Sequence, residues 1–102
     1  KESGFYLIDD IIVIRSMKDY TNLFLKGNKY FVVHRSMIDW ESKLPQRKFL
    51  RIHKQSLINL AFVEKVELIS SNRFMVTLSF YFQKLEVSQR YSRRIKKLFY
   101  TH

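Results

Sequence analysis

The sequence predicts a mainly β domain of antiparallel hairpins with one or two short helices. Three observations carry that prediction. Apolar and polar residues alternate with period two in several short segments, the spacing of strands with one face turned inward. Clusters of turn-forming residues, Lys26-Gly27-Asn28-Lys29 and Ser70-Ser71-Asn72-Arg73, separate such segments. Helical periodicity behind a capping residue occurs after Ser36 and after Ser88.

From Phe5 to Ile14 the residues are mostly apolar, interrupted by Asp9-Asp10, which suggests two short strands around a turn or bulge. The two carboxylates read as turn chemistry, since no His or Glu is spaced to complete an acid site. Arg15 to Thr21 is polar between two apolar segments and reads as a connecting loop or strand end. Leu23 and Leu25 alternate into the turn at Lys26 to Lys29, where Gly or Asn takes positive φ, and Tyr30 to Val33 returns. Ser36 then caps a helix with Asp39 three residues on. Met37, Trp40 and Leu44 share a face read as core, and Pro45 ends the helix. His34 and Arg35, just ahead of it, suit a phosphate contact or a plain surface pair equally.

In Phe49 to Leu60, Leu50 and Ile52 alternate with Arg51 and His53, giving one apolar face and one basic face. Continuing the strand would put the Lys54 ammonium among core residues at a cost of several kcal/mol. The chain is therefore expected to turn at Lys54, Gln55 and Ser56 before Leu57, Ile58 and Leu60 re-enter the core. An Arg, a His, a Lys and two neutral hydrogen-bonding side chains are left at the rim, equipment for gripping an anion or a base edge. Val63, Val66 and Leu68, then Phe74, Val76 and Leu78, flank a second turn. Phe80-Tyr81-Phe82 leads through Gln83-Lys84 to Leu85 and Val87, a third strand pair. Its aromatics read as core packing rather than a base-stacking platform, since no Gly-rich ribonucleoprotein-type motif accompanies them. From Val87 to His102, Ser88 is placed to cap a helix. Tyr91, Ile95, Leu98 and Phe99 share one face of it, with Arg90, Arg93, Arg94, Lys96 and Lys97 elsewhere.

At 102 residues there is room for one domain, and nine Phe, six Tyr and one Trp supply its core. Lys and Arg outnumber Asp and Glu by 19 to 9, so the net charge of +10 favours a polyanion over a small neutral ligand. After Glu67 the only acid is Glu86, against seven Lys and Arg. Charge gathers at the central stretch and at the C-terminus, which suits a surface that tracks phosphates. No segment is a clean basic amphipathic helix for a membrane surface, and no apolar run approaches the ~20 residues of a membrane span. There is no cysteine, hence no disulfide or thiolate metal site. With no signal peptide at its start, the chain is expected to be cytoplasmic. It opens on Lys-Glu-Ser-Gly without an initiator Met, and the expectation is a single domain, residues 1–102, from the C-terminal part of a longer regulator.

Three stretches resemble one family. Phe49, Arg51, His53, Lys54, Leu57, Ile58 and Asn59 fit, in order, the F-x-R-x-H-[KR]-S-[YF]-[IL]-V-N segment of LytTR domains. These are the DNA-binding modules of the LytR/AgrA/AlgR group of bacterial response regulators. Asp19-Tyr20-Thr21 resembles the family's N-Y-T segment, and Val87-Ser88-Gln89-Arg90-Tyr91 its V-S-R-R-Y. Gln55-Ser56 stands where the family has Ser and an aromatic, and Gln89 where it has Arg. The resemblance implies an elongated stack of small antiparallel sheets that reads double-stranded DNA through loops for transcription control in a two-component system. It implies paired direct repeats and leaves a homodimer on DNA open, with no enzyme activity, cofactor, metal, membrane or small-molecule substrate expected. Lys18, Asp19 and Tyr20 and the Ser88 to Tyr91 segment would enter successive major grooves, with His53, Lys54 and Gln55 over the backbone between them. Arg90 would pair bidentately with guanine and Gln89 with adenine. Arg51, Lys54, Arg93, Arg94 and Lys97 would contact phosphates.

Two other functions fit parts of the sequence. A single-stranded nucleic-acid or RNA module would stack bases on Tyr81, Phe82 and their neighbours. A small nuclease would use His34 or His53 with Asp9, Asp10 or Asp19 holding Mg²⁺, although the spacing does not support such a site.

Overall fold

Strands that are apolar at successive positions belong inside a sheet covered on both faces. The computed structural model describes residues 6–100, so Phe5 and His102 lie outside the described residues. Strands β1 (Ile11–Met17), β2 (Tyr20–Leu25), β3 (Lys29–Val33), β4 (Phe49–His53) and β5 (Ser56–Asn59) form an antiparallel sheet in the order β3-β2-β1-β5-β4. The four leading residues of β1 and all four of β5 are buried, and these two strands lie side by side inside that sheet. Strands β6 (Val63–Ser70), β7 (Arg73–Leu78) and β8 (Leu85–Val87) make a second antiparallel sheet. Helices α1 (Met37–Lys43) and α2 (Ser92–Phe99) complete the mainly β, elongated architecture, 43 × 25 × 22 Å.

The five-stranded sheet is the middle layer. Met37 and Trp40 of α1, with Leu44 just beyond it, pack on one face against Ile11, Ile14, Leu23, Phe49 and Leu57. Leu50, Ile52 and Ile58 on the other face meet Phe74, Val76 and Leu78 of the second sheet and Ile95 of α2. Each such side chain removed from water contributes about 1.5 to 3 kcal/mol. Trp40 is core, as read from the helical spacing, and its Nε1 donates to Thr21 Oγ1 at 2.8 Å. Ser36 Oγ accepts from the Asp39 amide at 3.1 Å, while the Asp39 carboxylate turns to Arg35 instead of closing a capping box.

Asn59 joins the layers at their base. Its Nδ2 donates to Ile11 O at 2.8 Å and Asp9 O at 3.3 Å, and its Oδ1 accepts from the Ala61 amide at 2.9 Å. One buried amide thus ties the start of β1 to the end of β5 and caps the 3-10 turn Leu60–Phe62.

Several local expectations give way. Ile8–Asp10 is a 3-10 turn, so one strand, not two, opens the fold. Arg15 to Met17 extends β1 and Tyr20-Thr21 opens β2, leaving a two-residue turn where a longer loop was expected. Ser56 is a buried strand residue opposite Arg15, because pairing with β1 draws it out of the turn. Phe80 and Phe82 are 74% and 81% exposed, not core. The backbone at Phe80 takes φ +66°, which ends the strand and turns the segment outward. The last helix begins at Ser92 after a 3-10 turn at Gln89–Tyr91, and the Ser88 hydroxyl makes no cap bond. Ile95 is fully buried, whereas Leu98 and Phe99 project past the edge of the core, half exposed.

Asn59→Ala is expected to lower stability by about 2 to 4 kcal/mol, since it removes three hydrogen bonds and strands buried partners. Urea denaturation measures this, and a loss below about 1 kcal/mol would show that water replaces the amide.

Candidate nucleic-acid interface

Strand direction decides which loops meet. β1 runs antiparallel to β5 with Arg15 opposite Ser56, so the end of β1 lies beside the start of β5. The β1–β2 turn at Lys18-Asp19 and the β4–β5 turn at Lys54-Gln55 therefore leave the sheet at the same end. Ser16 N donates to Gln55 O at 3.1 Å and ties one to the other. On the far side of β4, Ser88 N donates to Ile52 O at 2.9 Å and sets the Gln89–Tyr91 turn next to that end. Three segments far apart in sequence thus share one rim, with the Lys54 turn in the middle.

Each segment presents cations. Lys18 takes φ +52° in the tight turn, with Asp19 beside it and Tyr20 half exposed, its ring 5.0 Å from that of His34. Lys54 and Gln55 are exposed, and His53 Nδ1 accepts from Gln55 N at 3.1 Å, which places the ring proton on Nε2 in the neutral imidazole. Gln89 and Arg90 are exposed on their turn. Arg93, Arg94 and Lys97 line the outer side of α2 at helical neighbour spacing. Lys18, Lys54, Arg93, Arg94 and Lys97 make no ion pair or hydrogen bond through their side chains among the described residues. Cations held free of internal carboxylates on one surface keep their full attraction for phosphate.

Arg51 differs from these. Its side chain is 11% exposed, and it bonds Glu41 Oε1 at 2.6 Å, His53 O at 3.0 Å and Lys54 O at 2.8 Å. Glu41, which no sequence pattern marked for the site, lines a groove of about 540 Å³ between α1 and the start of α2, together with Tyr91, Arg90, Arg93 and Arg94. Away from this surface, a hydrogen bond from Lys84 holds the Glu67 carboxyl below its ordinary pKa, and Lys65 adds to the effect. No three His, Cys, Asp or Glu side chains come together as metal ligands among the described residues.

The family model for the LytTr DNA-binding domain matches residues 2–100, nearly the whole chain. The chain belongs to that family. A solved structure with the same fold is the LytTr DNA-binding domain of a protein described as a methyl-accepting/DNA response regulator from Bacillus cereus. It aligns with TM-score 0.80 and 17% identity over 90% of this chain and 83% of that one. Comparison with curated protein sequences gives no significant match. Membership makes this LytTr domain a DNA-binding module for transcription regulation.

Because Lys18 occupies the left-handed region, Lys18→Gly relieves backbone strain while deleting a cation. It is expected to raise stability by about 0.5 to 1 kcal/mol in urea denaturation and to weaken DNA binding. A loss of stability would contradict the strained turn.

Proposed function

We propose that this LytTr domain binds double-stranded DNA sequence-specifically, as the output domain of a two-component response regulator in the bacterial cytoplasm. The observation that carries the proposal is the meeting of three loops at one end of the sheet, bearing Lys18, Lys54 and Arg90. The flanking loops, Lys18 to Tyr20 and Ser88 to Tyr91, enter major grooves, and the His53 to Gln55 turn lies over the backbone between them. Arg90 reads guanine O6 and N7 with its planar fork, and Gln89 offers an amide to adenine. Lys54, Arg93, Arg94 and Lys97 bind phosphates, which fixes register and supplies the salt-dependent part of the affinity. Paired direct repeats occupied by two copies complete the proposal.

A second reading has one observation in its favour. Exposed Phe82 lies against Phe24 and Tyr81, with Tyr30 beyond Phe24, and exposed Phe80 lines the same pocket, an aromatic cluster of the kind that stacks unpaired bases. Among the described residues Lys29 alone of the cations lines that pocket, against five unpaired cations at the rim and along α2, so duplex binding is the stronger proposal. Competition between a duplex and its separated strands decides, with the duplex expected to win and preference for single strands supporting the aromatic platform.

Arg90→Ala is expected to cost about 1 to 3 kcal/mol on the preferred duplex and little on a scrambled one. Lys97→Ala should weaken both alike and reduce the salt slope by about one unit. Binding isotherms at several salt concentrations measure both variants, and equal losses on the two duplexes for Arg90→Ala would remove its assigned role.

A further inference from the structure

We propose that Glu41, an acid on α1 outside every loop assigned to DNA, is a positioning residue for base readout, acting through Arg51 and Tyr91 on Arg90. The proposal rests on the duplex-reading function above. Glu41 Oε1 accepts from Arg51 Nη1 at 2.6 Å, while Nε and Nη2 of the same guanidinium donate to His53 O and Lys54 O at 3.0 and 2.8 Å. A planar fork engaged on three sides has its orientation fixed, and charge-assisted bonds of this kind are both strong and directional. The Arg51 guanidinium lies 5.6 Å from the centre of the Tyr91 ring, and that of Arg90 lies 5.6 Å from the same ring.

One carboxylate thus anchors a relay with two outputs. Through the carbonyls of His53 and Lys54 it sets the middle turn, and through the Tyr91 ring it sets the surface on which Arg90 rests. Arg51 itself, expected from sequence to grip phosphate, cannot swing outward without breaking all three bonds. It becomes the second member of the relay.

An acid at this position is a burden by simple electrostatics. Glu41 is 41% exposed and lines the groove that Arg90, Arg93 and Arg94 also line, so its charge faces the phosphates of bound DNA. If charge alone mattered, removing it would tighten binding to every duplex. Positioning gives the opposite sign for the preferred site, because a loosened Arg90 loses its bidentate geometry there and nothing elsewhere.

The test uses this domain with Glu41→Ala, Glu41→Gln and Arg51→Lys. A duplex selected for tight binding and its scrambled control serve as probes, and thermal melting is run alongside. Glu41→Ala and Arg51→Lys are expected to lower the ratio of selected to scrambled affinity about tenfold, the worth of one base contact. Scrambled binding by Glu41→Ala should stay level or tighten, and Glu41→Gln, which keeps the acceptor oxygen, should recover part of the ratio. In the free protein, ¹⁵N relaxation should report added motion at His53 to Gln55 and at Gln89 to Tyr91, with Lys18-Asp19 unchanged. An unchanged affinity ratio in both Glu41→Ala and Arg51→Lys overturns the proposal even if melting temperature falls. So does unchanged relaxation at either segment. If the unmodified domain does not distinguish the two duplexes, the duplex-reading function itself fails. The relaxation data then decide alone whether Glu41 holds the two segments.

Discussion

An ammonium cannot follow Leu50 and Ile52 into the core, and that constraint at Lys54 shapes the rest of the molecule. The chain reverses there, and β5 returns alongside β4 to be buried at every position. Because β4 and β5 contribute to both cores, the turn joining them is held by the most constrained part of the fold. The other two loops are tied to it by backbone bonds, Ser16 to Gln55 at the end of the β1–β5 ladder and Ser88 to Ile52. A rigid hairpin end is therefore the reference point against which the flanking loops are placed.

Charge supplies the second half of the design. A net charge of +10 on a body whose longest dimension is 43 Å opposes compaction, yet Asp9, Glu67 and Glu86 pair with cations away from the rim. Lys48 meets Asp9, Arg73 meets Glu86, and Lys65 and Lys84 share Glu67. Such exposed pairs add little stability individually. Their arrangement matters more, because it leaves Lys18, Lys54, Arg93, Arg94 and Lys97 at the rim and along α2 without a carboxylate partner among the described residues. Asp19 and Glu41 are the acids beside these cations, and the strong bond of Glu41 to Arg51 gives it a geometric role instead of an electrostatic one.

The hairpins were legible because their signals are local. Gly27 at φ +86°, Asn28 at φ +63° and Asn72 at φ +59° sit in the turns that composition marked. Trp40, Leu50 and Ile52 were legible by period alone. What escaped depends on partners distant in the chain. Ser56 is buried because β1 lies against it, a fact that no window around residue 56 contains. Phe80 and Phe82 read as core by residue type, although a left-handed backbone at Phe80 carries them outward. The motif residues were placed by resemblance, but geometry alone separates their tasks. Asn59 braces the fold and Arg51 braces the turn, whereas Lys54 and Arg90 stay available. The bond between Glu41 and Arg51 joins a helix to a strand across a proline-ended connection, so neither helical nor strand periodicity could have announced it.

Selection of bound duplexes from a random DNA library, followed by affinity against salt for the winner and a scrambled control, tests the central claim most directly. The account predicts a recurring short motif bound at least ~10³-fold more tightly than the scramble at moderate salt. Enrichment of no motif, with one steep salt slope shared by every sequence, would contradict it and reduce the rim to a general polyanion surface.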